Sequence, residues 1–294
     1  FIPYPAYGDV LLLRLVSPFG KYRLIVDAFL DLYDTVVHDR RVAAEHGLVA
    51  GLVAVMERVT LRSADHVLVD TPAHRSALIA RYALSPGAVT VVPVGLDEAV
   101  WRPLPRPSPR ATLHVLFWGT FIPLHGVEVI AEAARSLAAA NEAISFQLIG
   151  DGQTAPGIAE LLEQQQLPNL VWQRAVVSTE ALQAAIKEAH VVLGVFGSSA
   201  KAGNVVPYKV HQALACDRPV ITRHTEQLES LERPGIMLVP PGDSGALAAA
   251  ILAMRDGLLR GEIPATRPCY DEHFGSNAVA GSLDAALAKV QEGS

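Results

Sequence analysis

The chain is poor in cysteine, carries no excess of basic residues and contains no long apolar run. Its two cysteines, Cys216 and Cys269, are too few among 294 residues for a disulfide framework, so a reducing cytoplasm is the expected compartment. The formal net charge of −6 excludes the basic field of a nucleic-acid-binding protein. No apolar run approaches the roughly 18 residues that span a bilayer. The nearest, Gly47–Met56, stops at Glu57 and is interpreted as a core helix.

Several catalytic and metal-binding motifs are also missing. The ten histidines include no H-E-x-x-H and no Cys/His set with zinc spacing. The sequence has no D-x-D, no Walker A and no G-x-S-x-G motif. These absences argue against an ATPase and against a serine hydrolase. We therefore expect a site that uses no metal and no other cofactor.

What the chain does contain is a repeated alternation of apolar strands and helices. Half of its residues are apolar, which suits one large or two medium-sized globular α/β domains. The first part predicts the strands Arg23–Leu30, His66–Asp70 and Val89–Gly95, with helices at Val42–Leu61 and from Thr71 and Pro72 onwards. This alternation is typical of a parallel sheet that is covered on both faces.

A proline-rich stretch, Arg102–Arg110, separates two series of strands and helices. Alternate prolines favour a stiff extended connection, so we place the domain boundary here. After it the predicted strands are His114–Gly119, Ser145–Gly150, Asn169–Arg174, His190–Phe196, Arg218–Arg223 and Gly235–Pro240, with helices near 126–140, 155–166, 178–189, 207–216 and 244–256. Six strands make a full doubly wound domain, whereas the first part shows only three or four.

The stretch Asn204–Arg223 predicts a loop, a helix, a turn and a parallel strand. Pro207 suits the first position of the helix. In an open α/β sheet such a loop-to-helix junction lies at the carboxyl ends of the strands, where ligands bind. Lys209 falls in the first turn and shares a face with Gln212, beside free helix N–H groups. We interpret the junction as a seat for a phosphorylated ligand, with a solvated surface lysine as the competing interpretation of Lys209.

The same stretch resembles the donor-site helix of the group 1 (family 4) glycosyltransferases, which are retaining enzymes of the GT-B fold. The family pattern is a glutamate, seven residues, a second glutamate, and then Ala-x-Ala-x-Gly-x-Pro-Val. In this chain Asn204 and Gln212 take the two glutamate positions, and Asp217 takes the glycine position. Further family landmarks match in order at Ser63–Asp70, Val91–Pro103, Phe117–Glu132, Gln147–Gly152 and Val239–Asp243. The resemblance therefore extends over almost all of the chain.

This resemblance implies an α/β protein of GT-B architecture, with two Rossmann-like doubly wound parallel-sheet domains. We assign residues 1–103 to a partial acceptor-side domain and residues 104–268 to a nucleotide-sugar-binding domain. Residues 269–294 are assigned to a C-terminal helix that crosses back to the first domain. Phe1–Ala6 resembles the end of a strand already in progress. We therefore expect the first domain to be incomplete at its amino end.

The resemblance also implies a diphosphate leaving group, whose charge the enzyme must neutralise. Group 1 enzymes usually supply an arginine directly after the first-strand glycine and a lysine shortly afterwards. Thr120 and His125 occupy those positions, so the usual cation pair is missing and Lys209 is the candidate replacement. Gln212 stands where a carboxylate binds the ribose hydroxyls. The backbone N–H groups of Val205 and Val206 are expected to donate to the diphosphate.

Further positions complete the candidate site. Asn204 stands where the second family carboxylate approaches the sugar ring, with a helix or turn cap as the alternative. Gly119 and Thr120 form a turn where the backbone can approach a ligand closely. Arg174 and Val176 lie in the loop that frames the nucleotide base in this family. Asp27 ends a predicted buried strand and is the candidate acceptor-side base or cation stabiliser, with a solvated loop carboxylate as the alternative.

The expected function is retaining transfer of a sugar from a nucleotide-diphosphate donor to a glycan, lipid or small-molecule acceptor. The expected partners are a nucleotide sugar and a saccharide or lipid-linked acceptor, with no nucleic acid. We expect a cytoplasmic protein and leave peripheral membrane contact open. Two alternatives remain: a nucleotide-sugar epimerase or hydrolase on the same fold, and a catalytically inactive GT-B binding or scaffold module, which the loss of both glutamates would suit.

Overall fold

The computed structural model describes residues 7–16, 22–29, 31–39, 44–45, 47–108, 112–165, 167–198 and 206–292. The chain divides into two compact units, which we call unit 1 and unit 2. Unit 1 consists of Phe1–Gly95 together with Phe274–Ser294, and unit 2 consists of Leu96–His273. These divisions differ from the sequence-based boundaries at 103/104 and 268/269.

Both units are built from helices and parallel strands. The described strands are β1 (Ile25–Asp27), β2 (His66–Val69), β3 (Val89–Val91), β4 (Leu113–Trp118), β5 (Ile144–Ile149), β6 (Leu170–Gln173), β7 (Val191–Leu193), β8 (Val220–Arg223) and β9 (Ile236–Val239). The described helices are α1 (Tyr7–Val16), α2 (Leu32–Asp34), α3 (Leu48–Ser63), α4 (Pro72–Tyr82), α5 (Val127–Ala139), α6 (Ala155–Gln165), α7 (Thr179–Glu188), α8 (Tyr208–Ala215), α9 (Glu226–Glu229), α10 (Ser244–Leu259), α11 (Arg267–His273) and α12 (Ser276–Glu292). The strands of both sheets pair in parallel, which confirms the predicted α/β class.

Unit 1 holds a three-stranded sheet in the order β1-β2-β3. The central strand β2 is buried along its whole length, as its apolar sequence predicts. Helix α4 begins where expected, because the Thr71 hydroxyl accepts the His74 N–H at 3.2 Å and Pro72 occupies the first turn. Helix α12 belongs to this unit, where Ala286 packs in one apolar cluster with Ile25 and Leu68.

Two predicted elements of unit 1 differ in length from those observed. The strand expected over Arg23–Leu30 is reduced to Ile25–Asp27. It is followed by α2, where the Asp31 carboxylate caps the helix by accepting the Asp34 N–H at 2.8 Å. The helix expected over Val42–Leu61 begins at Leu48. Residues 42, 43 and 46, at the amino end of that prediction, lie outside the described residues.

Helix α3 is only partly the core helix that its composition suggests. One face is buried through Ala50, Glu57 and Leu61. The opposite face exposes apolar side chains at helical spacing, namely Leu48, Leu52, Val55 and Val59. Apolar residues on both faces of one helix produced the misinterpretation, because composition cannot say which face has a packing partner. Among the described helices, none is long and apolar enough to cross a membrane.

Unit 2 holds a six-stranded sheet in the order β6-β5-β4-β7-β8-β9, and all six strands predicted for it are present. The order in which the strands are added to the sheet reverses at β4, since β5 and β6 lie on one side of it and β7 to β9 on the other. In open α/β sheets, ligands bind beyond the carboxyl ends of the strands at such a switch point. The segments that follow β4 and β7 therefore border the candidate site.

The proline-rich stretch packs against unit 2 and is not a free connector between the units. The guanidinium of Arg218 is fully buried and donates to the carbonyl oxygens of Leu104 and Pro105 at 3.1 and 2.7 Å. Arg106 also forms an ion pair with Asp217 at 3.0 Å. These bonds attach the prolines to the second sheet, which explains why the division falls at residue 95 and not at residue 103.

Asp217 replaces the family glycine because its carboxylate compensates for a left-handed backbone. Its φ is 57°, a conformation that glycine adopts without steric cost. The carboxylate accepts the backbone N–H groups of Thr266 and Arg267 at 2.6 and 3.2 Å and pairs with Arg106. These bonds tie the end of α8 to the start of α11, a tertiary role that a glycine could not supply.

Candidate functional site

Two glycine turns pack backbone against backbone at the carboxyl ends of β4 and β5. The Gly119 N–H donates to the Ile149 carbonyl at 3.0 Å, and the Gly150 N–H donates to the Gln173 carbonyl at 3.0 Å. Both glycines have positive φ, and a Cβ on Gly150 would lie 1.9 Å from the Gly119 carbonyl oxygen. Only glycine fits this contact. The tight turn expected at Gly150–Gly152 lies slightly later in the chain, where the Ala155 N–H donates to the Gly152 carbonyl at 3.1 Å.

We expect Gly150→Ala to destabilise unit 2 by about 3 kcal/mol or more, since the methyl group must displace backbone and the φ becomes strained. The measurement is urea unfolding followed by tryptophan fluorescence, which reports on unit 2 because Trp101, Trp118 and Trp172 all lie in it. The matched control is Gly157→Ala in α6, where a Cβ meets nothing within 4 Å. That control should gain about 0.5–1 kcal/mol. Equal midpoints for the two variants would contradict the packing argument.

Lys209 lies in the first turn of α8 with its ammonium group buried inside unit 2. The residue is 6% exposed, and its Nζ lies 4.0 Å from the centroid of the Phe117 ring. Among the described residues, Nζ has no hydrogen-bond acceptor. Burial holds the pKa of Lys209 well below its ordinary value. The interpretation of Lys209 as a solvated surface lysine is therefore wrong, because β4 and the turn after it enclose the side chain.

His125, in the turn Pro123–His125, lies beside Gly119, as the Lys209 amine does. A Cβ placed on Gly119 would lie 2.8 Å from His125 Cε1, 3.2 Å from His125 Nδ1 and 3.1 Å from Lys209 Nζ. The imidazole is hydrogen-bonded to the Thr120 backbone, and Nδ1 is buried without a partner in the described parts of the chain. Burial lowers the pKa of His125, and the charge of Lys209 lowers it further whenever that amine is protonated. His125 is therefore a neutral group at physiological pH and cannot replace a lysine as a cation.

Gln212 lies one turn after Lys209, and its amide oxygen is already engaged. It is buried, and its Oε1 accepts the Trp118 indole N–H at 3.3 Å. Because an indole nitrogen can only donate, the amide must present its oxygen to Trp118 and its NH₂ group elsewhere. The sequence did not identify Trp118 as a site residue. Its position directly before Gly119 was the available signal.

A cavity of about 200 Å³ opens at the same edge of the sheet. The residues that line it include Trp118, Gly119, Thr120, Asp151, Ala175 and Val176. Thr120 is exposed there, and Val176 is 98% exposed. The structure thus brings together Gly119, Thr120 and Val176, which the sequence placed on two separate loops.

Arg174 lies beside this cavity with its charge already paired. Its guanidinium forms a 2.9 Å ion pair with Asp151 and lies 5.4 Å from the centroid of the Trp172 ring. Both members of the ion pair are substantially exposed. The pair lowers the pKa of Asp151 and raises that of Arg174. Arg174 therefore serves to shape the loop, and contact with a ligand through the backbone remains the prediction.

The segment that leads into α8 is described only in part. Asn204 and Val205 lie outside the described residues. Val206 is half-buried and directly precedes Pro207, the residue that caps α8. Helix α8 therefore begins at Tyr208, one residue later than Pro207, whose backbone is extended. The roles assigned to Asn204, Val205 and Val206 stay predictions.

Asp27 lies in unit 1, at the carboxyl end of β1. It borders a cavity of about 290 Å³ together with Asp70, which follows β2. Burial and the charge of Asp70 raise the pKa of Asp27, against the effect of a hydrogen bond from the Phe29 backbone. Asp70 accepts a 2.8 Å hydrogen bond from His74 Nδ1, a pairing that the sequence analysis missed although i,i+4 spacing was its signal. Two carboxylates and an imidazole thus meet at this edge of unit 1.

The fold and the site together define a class of protein. It is an α/β protein with a doubly wound parallel sheet, and the glycine turns and the buried Lys209 amine lie where the strand order of that sheet reverses. Residues 112–256 match the family model described as Glycosyl transferases group 1. This segment of unit 2 is a group 1 glycosyltransferase domain, which confirms the resemblance stated from the sequence.

The curated relatives are D-inositol 3-phosphate glycosyltransferases. The protein from Mycobacterium marinum is 27% identical over 254 residues, which cover 82% of this chain and 53% of the relative. The protein from Kineococcus radiotolerans is 35% identical over 89 residues, covering 28% of this chain and 20% of the relative. The chain thus spans about half the length of the Mycobacterium marinum relative.

Solved structures share the fold at low sequence identity. Sucrose-phosphate synthase from Thermosynechococcus elongatus superposes with a TM-score of 0.73 at 19% identity, covering 99% of this chain and 73% of the other. Anabaena HepE in complex with UDP and glucose superposes with a TM-score of 0.68 at 15% identity, covering 96% of this chain and 76% of the other. Both neighbours are GT-B glycosyltransferases, so the predicted GT-B fold class is confirmed.

Proposed function

We propose that this chain is a glycosyltransferase that moves a sugar, with retention of configuration, from a nucleoside diphosphate to a saccharide or lipid-linked acceptor. The observation that carries the proposal is the buried amine of Lys209, which has no acceptor among the described residues and faces the glycine turn after β4. A buried amine without a partner costs free energy, so its retention at a ligand-binding edge favours a role toward an anion.

The leaving diphosphate would bind between the start of α8 and the Gly119 turn. The first N–H groups of a helix lack acceptors within the helix, and the helix dipole favours negative charge there. Lys209 would add one positive charge at the same end. In the reaction, the bond between the anomeric carbon and the phosphate oxygen breaks, and a bond from that carbon to the acceptor oxygen forms. The acceptor proton leaves to the departing diphosphate, whose charge Lys209 stabilises.

The nucleoside would occupy the cavity bordered by Trp118, Ala175 and Val176. Gln212 is hydrogen-bonded to Trp118, which borders this cavity, and it would contact the ribose. Since the Gln212 oxygen is engaged by Trp118, its NH₂ group would donate to a ribose hydroxyl oxygen. The solved complex of HepE contains UDP and glucose, which makes UDP the first nucleotide to test on this chain.

The acceptor would bind at the carboxyl edge of the unit 1 sheet. Asp27 and Asp70 border a cavity there, and acceptor hydroxyl groups are donors that suit two carboxylates. Burial and the charge of Asp70 raise the pKa of Asp27, and in this reaction the carboxyl groups would orient the acceptor hydroxyl group while its proton passes to the departing diphosphate. This assignment keeps Asp27 as the candidate acceptor-side residue. That the reaction needs no metal stays a prediction.

A catalytically inactive scaffold is the second candidate function, favoured by the amide at Gln212 in place of the family glutamate. The two candidates differ in ligand binding. We expect isothermal titration calorimetry with UDP, GDP and ADP to show one nucleoside diphosphate that binds in the micromolar range, and the matching monophosphate to bind at least about tenfold more weakly. The absence of binding by all three diphosphates would favour the scaffold.

Transfer itself is tested with the sugar conjugates of the nucleotide that binds. We expect NMR of the product to show an anomeric configuration equal to that of the donor when an acceptor panel of sugars and cyclitols is offered. Release of free sugar at the same rate with and without acceptor would identify a hydrolase, and a changed sugar stereocentre away from the anomeric carbon would identify an epimerase. An inverted product would contradict retention.

A further inference from the structure

The Lys209 amine is enclosed by groups that stabilise a charge only weakly. The Phe117 ring centroid lies 4.0 Å from the Lys209 Nζ, and the neutral His125 imidazole lies beside Gly119, as the amine does. A cation–π contact contributes on the order of 0.5–2 kcal/mol, well below the cost of removing an ammonium from water. In the ligand-free protein, burial therefore favours the uncharged amine, and the pKa of Lys209 is lowered accordingly.

The charged groups on neighbouring elements do not compensate for this burial. From β8, Arg223 donates to the Gly197 carbonyl, and from α11, Arg267 donates to the Ala215 carbonyl at the far end of α8. On α8 itself, Tyr208 and His211 flank Lys209, and the charge of Asp97 acts on Tyr208. Within the described part of the chain, Lys209 forms no ion pair with a carboxylate. The two groups that lie beside it, Phe117 and His125, are both aromatic.

We propose that the diphosphate site binds its ligand together with one proton, which Lys209 takes up as the anion arrives. The inference rests on the proposed function, since it assumes that a nucleoside diphosphate is the ligand. The diphosphate supplies the counter-charge that the folded protein lacks, and the ammonium then donates to its oxygens. His125 acts as a positioning residue, since its imidazole, held by the Thr120 backbone, fixes where the ammonium can lie.

The sign of the resulting pH dependence follows from linkage. Above the pKa of the free protein the amine is neutral, and in the bound state the pKa returns toward the ordinary value of 10.5. Between these two pKa values, the affinity for the diphosphate falls about tenfold for each unit of rising pH. Below the lower pKa, the affinity no longer depends on this group.

The direct test is NMR of protein labelled with ¹³C-lysine. The sequence has five lysines, Lys21, Lys187, Lys201, Lys209 and Lys289, so the Cε signals form a small set that Lys209→Met assigns. In the free protein we expect the Lys209 signal to titrate well below the ordinary range of a lysine. With saturating UDP the Lys209 signal should titrate at a clearly higher pH. A Lys209 titration that UDP leaves unchanged would overturn the inference.

Calorimetry supplies a second measurement on the same protein. At about pH 8.5, where the nucleotide phosphate is fully ionised, UDP binding in buffers of different ionisation enthalpy should show uptake of about one proton. Binding without proton exchange would overturn the inference and leave the proposed function standing. No binding of UDP, GDP or ADP at any pH would instead refute the proposed function. The two failures are therefore distinguishable.

The stability of the free protein gives a third measurement, which needs no ligand. Because the unfolded lysine binds a proton more readily than the buried one, the wild type should gain stability as the pH rises toward 10.5. The melting temperature of Lys209→Met lacks this contribution. The difference in melting temperature between the wild type and Lys209→Met should therefore narrow as the pH rises. A difference that stays constant with pH would contradict a neutral buried amine. His125→Asn should retain proton uptake, which separates Lys209 from His125 as the group that titrates.

Discussion

Replacing Lys209 with methionine is expected to strengthen the folded protein while removing most of its affinity for a nucleoside diphosphate. Methionine has a similar length and is apolar, so it fills the space beside Phe117 without a buried amine that lacks an acceptor. Removing a buried unpartnered polar group should raise the free energy of unfolding by about 1–3 kcal/mol. Losing a charge-assisted hydrogen bond to phosphate should weaken binding by about 1.5–3 kcal/mol, which is at least about tenfold.

The two effects are measured by thermal unfolding and by calorimetry with UDP. The matched control is Lys187→Met, which removes a lysine from the exposed face of α7 and should change neither quantity. The nucleoside alone, which has no phosphate, should bind Lys209→Met and the wild type equally. Unchanged UDP affinity in Lys209→Met would remove this residue from the site. A loss of stability would show that the amine has a partner in the folded protein.

Replacing Arg218 with methionine is expected to cause the largest loss of stability of any single change considered. Its guanidinium donates to carbonyl oxygens on three segments, the proline-rich stretch, the end of α7 and the end of α8, at Leu104, Pro105, Ile186, Lys187, Cys216 and Asp217. Methionine would remove all of these hydrogen bonds from a buried site, although the Ile186, Cys216 and Asp217 carbonyl groups each keep a second donor, from the Ala189 N–H, the Leu104 N–H and Arg106. We expect a loss of about 3–5 kcal/mol, as when one member of a buried charged network is removed.

Unfolding in guanidinium chloride, followed by tryptophan fluorescence, measures this loss of stability within unit 2. The control is Arg260→Met, which breaks an exposed ion pair with Glu262 and should cost no more than about 1 kcal/mol. Limited proteolysis supplies a second measurement, because release of the proline-rich stretch should expose new cleavage sites near residues 102–110. A loss below about 1 kcal/mol for Arg218→Met would refute its role in holding that stretch.

The elements of unit 2 could be predicted well because each is short, apolar and bounded by turn residues. Strands β4, β5 and β6 were each placed to within a residue or so of their observed bounds, and so was α5. The hydrophobic period and the residues that end a helix or strand are local features, and in unit 2 the tertiary packing agrees with them. Prediction was poorer for α3, where apolar residues occur on two faces and the composition alone could not identify the buried one.

The site was predicted as a set of positions and not as a set of contacts. Helical spacing predicted that Lys209 and Gln212 share one face of α8. It did not show that Phe117 and His125, which lie far away in the sequence, enclose the Lys209 amine. It also did not show that Trp118 engages the Gln212 oxygen. These contacts join segments whose separation in the chain contains no information about their distance in space.

By itself, the sequence determined the α/β class and the succession of strands and helices along unit 2, and it predicted a candidate site at the start of α8. Hydrophobic period, proline and glycine act over a few residues, so these features can be read without knowing the fold. The tertiary structure alone decided that Lys209 is buried, that Arg218 anchors the prolines and that Asp217 can replace a glycine. Each of these depends on groups brought together from distant segments, and burial and charge pairing exist only once the sheet has closed around them.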